Sequence, residues 1–133
     1  MIAYLSSEWI EEANRLLAAA PDLAIEAGGA PLVIQQTVQA PEADHLYHLV
    51  FDTDGARAVA GRADRADVEF RLPYDTAVAV ARGQLSAQAA FQSGALRIAG
   101  TMQRLLAHRE AVTACDDVLA PLRADTSYGA VDA

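Results

Sequence analysis

The hydrophobic period of this chain changes twice, and that change restricts its possible folds more than any single motif. In SSEWIEEANRLLAAAP, residues 6–21, Trp9, Ile10, Ala13, Leu16, Leu17 and Ala20 share one helical face, with Glu8, Glu11, Glu12 and Arg15 opposite. Ser6 or Ser7 can cap this helix, and Pro21 ends it. From Pro31 the period shortens. PLVIQQTVQA, LYHLVFDTDG and ARAVAGRADRADVEFRLPY hold short apolar or alternating runs separated by turn residues. They predict strands near 33–40, 46–53, 56–62 and 67–72, the first three as an antiparallel meander, after a Gly-Gly break at 28–29. Val68, Phe70 and Leu72 point one way and Glu69 and Arg71 the other.

The last third returns to helix. YDTAVAVARG stops at Gly83, and SAQAAFQSG is capped by Ser86 and closed by Gly94. ALRIA alternates and reads as a strand, Gly100 turns the chain, and MQRLLAHREAVTACDDVLAP makes a final helix broken near Pro121. The predicted order is helix, four strands, two short helices, strand, helix: one α+β domain over 1–133, with a frayed tail over 123–133.

Charge and chemistry narrow the function. At 133 residues the chain can bury roughly two thirds of its unfolded surface around one core. Its net charge is −8, and all ten basic residues are arginines scattered singly along it. A nucleic-acid ligand calls for clustered cations, and strong binding to an anionic membrane calls for a polybasic patch, so neither is expected. Cys115 is the single cysteine and forms no internal disulfide, and no leader or long apolar span is visible, so the expected location is cytoplasmic.

No reactive constellation assembles. His45 and His48 are three apart on a predicted strand and so face opposite ways, which argues against a metal pair. DTDG at 52–55 lacks most ligands of a calcium loop and reads as a hairpin turn. Asp116 and Asp117 are adjacent on a helix, diverge by about 100°, and read as a solvated face. Leu105, His108, Val112, Cys115, Leu119 and Leu122 form an apolar stripe. Cys115 there is a small buried hydrophobe. His108 is either satisfied by backbone or water, or hydrogen-bonds a ligand headgroup within an apolar site. No phosphate loop, nucleophile elbow or helical zinc motif occurs.

The stretch ADVEFRLPYDTAVAVARGQLSAQAAFQSGALRIAGTM, with its following amphipathic helix, resembles the sterol carrier protein 2 family of lipid-binding domains. Gly83, Ala90, Phe91, Ser93, Gly94, Leu96, Arg97, Ile98 and Gly100 carry the resemblance, which is close over 66–119. It implies a five-stranded, mostly antiparallel sheet covered by helices, with an apolar tunnel between the layers. The implied function is a non-catalytic carrier of an apolar ligand, such as a fatty acid, a fatty acyl-CoA or a sterol-like lipid, without cofactor or metal. The competing reading is an accessory module serving a partner enzyme, or a small enzyme acting on its bound ligand. Oligomeric state is left open. The expected tunnel lining is Phe70, Leu72, Phe91, Ile98, Met102, Leu105, His108 and Val112.

Overall fold

Two of the twelve residues of helix α1 (Ser7–Ala18), Ala13 and Leu17, are almost wholly buried, and with Trp9 they form its inner face. The Ser6 side chain accepts a hydrogen bond from the Trp9 N–H at 3.1 Å and satisfies one of the free donors of the first turn. These features belong to a computed structural model that describes residues 2–25 and 31–128, so the Gly-Gly break and residues 129–133 lie outside the described residues. A short strand β1 (Ile2–Ala3) precedes α1, and a 3-10 turn over Pro21–Leu23 follows it.

Strands β2 (Leu32–Gln39), β3 (His45–Asp52), β4 (Gly55–Ala60), β5 (Val68–Pro73) and β6 (Arg97–Gly100) make one five-stranded sheet in the order β4-β3-β2-β5-β6. All its pairings are antiparallel except β2 with β5. The meander is β2-β3-β4, as its spacing predicted, and β2 lies at the centre. A central strand is covered on both faces, and Leu32, Ile34, Gln35, Thr37 and Val38 are all buried. The two polar members are paired. The Gln35 amide donates to the carbonyls of Gln36 and Tyr47 and accepts from the Ala63 N–H, while the Thr37 hydroxyl donates to Glu69 at 2.8 Å.

The register puts Ile34 beside Leu49 and Val68, Gln36 beside Tyr47 and Phe70, and Val38 beside Leu72, all on one face. Helices cover that face: α1, α2 (Tyr74–Ala81), α3 (Ala87–Gln92), then α4 (Met102–Ala107), α5 (Arg109–Val118) and α6 (Ala120–Ala124). The predicted final helix is thus three segments. Pro121 accounts for the second break, because it has no N–H to bond the Asp117 carbonyl one turn back and its ring crowds that carbonyl. At the first, His108 has φ −113° and ψ 22°, and no local sequence feature accounts for it.

Residues 123–128, expected to fray, are instead built into the fold. Strand β7 (Thr126–Ser127) pairs in parallel with β1, and Thr126 and Tyr128 are buried. Tyr4, next to β1, stacks edge-on against Tyr128 and Trp9, so aromatic burial holds the two ends of the described chain together.

Asp67 joins three elements. Its carboxylate accepts from the Val33 N–H and from Arg104 at 2.8 Å each, and its carbonyl accepts from the Thr101 N–H at 2.9 Å. Gly100 lies against that same carbonyl with φ +112°, where any Cβ would come within 2.3 Å of the oxygen. Among the described residues no helix is long and apolar enough to cross a membrane.

Candidate functional site

The helical layer does not fill the space above the sheet. A cavity of about 180 Å³ remains between the even-numbered face of β2, its neighbours on β3 and β5, and helices α1, α2 and α5. Its floor is Ile34, Gln36, Val38, Tyr47, Phe70 and Leu72, and its roof includes Trp9, Val80, Val112, Cys115 and Leu119. Leu49 and Phe70 keep some accessible area although they lie mid-sheet beneath helices, and both line the cavity.

Three of the expected lining residues therefore meet here: Phe70, Leu72 and Val112. The other five do not line it. Phe91 is 48% exposed and Met102 39% exposed, so the expectation for these two is corrected. In α3 it is Ala90 that turns inward, fully buried, and the next residue of a helix points about 100° away. Ile98 packs instead with Val38, Leu72, Ala90 and Leu96 beside the edge strand. Leu105 packs against the main core, and His108 sits at the α4–α5 junction, half-buried and outside the lining.

Alternation could have revealed part of what was missed. Ile34, Gln36 and Val38 repeat every second residue just as Phe70 and Leu72 do, but only the β2–β5 register shows that the two sets share a face. Tyr4 and Trp9 join the lining through tertiary packing alone.

The walls are chemically quiet. Burial pushes the Cys115 thiol up to about 11, with the Asp116 carboxylate adding to the effect, so the nucleophilic thiolate is scarce. Burial likewise pushes the Tyr47 and Tyr4 hydroxyls well above the usual phenol range. The buried Trp9 N–H finds no hydrogen-bond acceptor among the described residues; its ring lies edge-on to Tyr4 and Tyr47. His45 and His48 diverge as alternation required: His45 is in register with Val38, while His48 bonds the Gly61 carbonyl through Nδ1 at 3.0 Å. Among the described residues no three His, Cys, Asp or Glu side chains are grouped so as to hold a metal ion.

At one end the cavity abuts a wider, open cleft of about 620 Å³, and Val80, Ala81, Asp116 and Arg123 border both spaces. Arg123 donates to the Asp116 carbonyl at 3.0 Å and forms an ion pair with its carboxylate.

A mixed five-stranded sheet whose covering helices enclose an apolar cavity defines an α+β domain built around an internal site. The sequence profile of the SCP-2 sterol transfer family matches residues 13–112. The chain belongs to that family.

Solved structures agree on the fold. The chain is similar to a crystal structure of sterol carrier protein 2, with 22% identity and a TM-score of 0.66, covering 88% of this chain and 97% of that one. It is also similar to a solution structure from Thermus thermophilus, described as a conserved hypothetical protein and possibly sterol carrier protein. The identity there is 21%, the TM-score 0.63, and the coverage 98% of this chain and 94% of that one. A solution NMR structure of palmitated SCP2L2 from Aedes aegypti is a third, at 17% identity and TM-score 0.56, covering 81% of this chain and 93% of that one. Identities this low speak to fold. No curated protein sequence matches the chain.

Proposed function

We propose that this protein is a non-catalytic, cytoplasmic carrier of a single apolar ligand of the fatty-acid, acyl-CoA or sterol-like kind, working as one domain without metal or cofactor. The observation that carries this reading is the cavity above the sheet, apolar on nearly all sides and roofed by helices. Burying a lipid chain there is favourable by about 25 cal/mol per Å² of apolar surface removed from water, so few polar contacts are needed. Phe70, Leu72 and Val112 are its proposed contacts, with Ile34, Tyr47 and Leu119 beside them.

The size of the cavity adds a mechanical requirement. About 180 Å³ is less than the roughly 300–1,000 Å³ of ordinary ligand pockets, so a long chain must part the helices to enter. The roof is suited to this. Helices α4, α5 and α6 are short segments joined at His108 and Leu119, and such joints can absorb a hinge movement. On this reading the ligand completes the core, and loading should stabilise the protein by mass action.

The test is direct. Protein purified without detergent is extracted and its organic phase examined by mass spectrometry, and delipidated protein is titrated with palmitate, the lipid named with the Aedes aegypti structure. One equivalent of co-purifying lipid, or saturable palmitate binding with a rise in Tm, is the expected result. An empty preparation that also fails to bind palmitate overturns the carrier reading.

A further inference from the structure

The outer cleft shares an arginine with the cavity. The charged groups among the described residues bordering this cleft are Arg82, Arg123 and Asp116. Arg82 lies over the Tyr128 ring at 5.9 Å from its centroid. Arg123 is the member that faces both spaces, so its guanidinium stands where an apolar chain inside the cavity would reach water.

The partner that Arg123 now holds is replaceable. The Asp116 side chain is 71% exposed, whereas that of Arg123 is 27% exposed. An exposed carboxylate loses little on returning to water, and ion pairs of this kind contribute little to stability. The planar fork of the guanidinium suits a carboxylate from a ligand as well as one from a side chain.

We propose that Arg123 is the headgroup site for a single-chain lipid carboxylate, and that the ligand takes the place of Asp116 as the partner of Arg123. The inference rests on the carrier reading and narrows it. A long-chain carboxylate lies tail inward over Phe70 and Val112, with its headgroup at the cleft. A neutral sterol has no use for this guanidinium. Asp116 then acts as a stand-in anion for Arg123, and it competes with the ligand.

Paired titrations with palmitate and hexadecanol test this, because the two share a tail and differ in headgroup charge. Affinities are measured for wild type, Arg123→Gln and Asp116→Asn. The expected result is a fall of about tenfold or more in the palmitate-to-hexadecanol affinity ratio for Arg123→Gln, the scale of one lost hydrogen bond between charged groups. Asp116→Asn should raise the same ratio, since the competing anion is gone while Arg123 remains. That second variant alters an exposed side chain and keeps the test decisive if Arg123→Gln folds poorly. An unchanged ratio in Arg123→Gln, or a lowered one in Asp116→Asn, overturns the headgroup assignment while leaving the carrier reading in place. Failure of wild-type protein to bind either lipid overturns both.

Discussion

The side-chain amide of Asn14 on α1 pairs with the backbone of Ala58 on edge strand β4 as another strand would. Asn14 Nδ2 donates to the Ala58 carbonyl at 2.8 Å, and the Ala58 N–H donates to Asn14 Oδ1 at 2.7 Å. One side chain thus satisfies both outward-facing groups of an edge residue and fixes α1 across the sheet, where Trp9 reaches the cavity. Asn14→Leu should lower stability by about 1–3 kcal/mol, because it strips two backbone groups of their partner. Urea denaturation checks this, and a loss under about 0.5 kcal/mol would mean that water replaces the amide without penalty.

Gly100 should be the least replaceable glycine of those flanking the last helices. An alanine Cβ there meets the Asp67 carbonyl at 2.3 Å, whereas at Gly83, with φ +75°, a Cβ meets nothing within 4 Å. Gly83→Ala therefore costs only the strain of left-handed backbone, about 1–2 kcal/mol. Gly100→Ala combines strain with a backbone clash, and should lower the urea midpoint clearly further. Equal losses at the two positions would contradict the close approach.

Bulk added to the roof should separate cavity from surface. Val112 borders the cavity, so an indole there occupies space assigned to the ligand. Val112→Trp should reduce palmitate affinity about tenfold or more while avoiding the roughly 1–3 kcal/mol penalty of an overpacked core. Met102→Trp, at an exposed position, should change neither quantity. Fluorescent fatty-acid titration and denaturant midpoints read both. Destabilisation by Val112→Trp with affinity intact would remove Val112 from the site.

Acid stability should depend on Glu69. The Thr37 hydroxyl, donating at 2.8 Å, holds this carboxyl below its ordinary range against the opposing effect of burial, and Arg71 and Arg62 add to the lowering. The folded protein then binds this proton less readily than the unfolded chain. Its contribution is present above the unfolded value of about 4.3 and is lost as pH falls through the lower folded value. Thr37→Val should shrink that acid-side loss by about 1 kcal/mol. The measurement is urea midpoints from pH 6 down to pH 2, and parallel curves for the two proteins would refute the coupling.

Much of the architecture was legible because it is written in local periods. The 3.6-residue repeat of Trp9, Ala13 and Leu17 and the two-residue repeats of Ile34–Val38 and Val68–Leu72 decide which side chains share a face, whatever the rest of the molecule does. The same locality made His45 and His48 diverge and made DTDG a turn: β3 ends at Asp52, β4 starts at Gly55, and the Asp52 carboxylate accepts from the Asp54 N–H.

Other features had no local signature. Two-residue strands β1 and β7 are too short to show a period and exist because Tyr4, Trp9 and Tyr128 pack together across the ends of the described chain. Phe91 and Met102 are as apolar as Phe70, and only the docking of α3 and α4 turned them to the surface. Asp116 and Arg123 lie on opposite sides of the break at Leu119, and their ion pair across it stands where the cavity meets the cleft. Sequence by itself determined which residues could form helices, strands and an apolar layer, since those depend on neighbours along the chain. The tertiary structure alone decided where that layer stays unfilled and which charges stand at its opening, since a cavity is what remains after every element has found its packing partner.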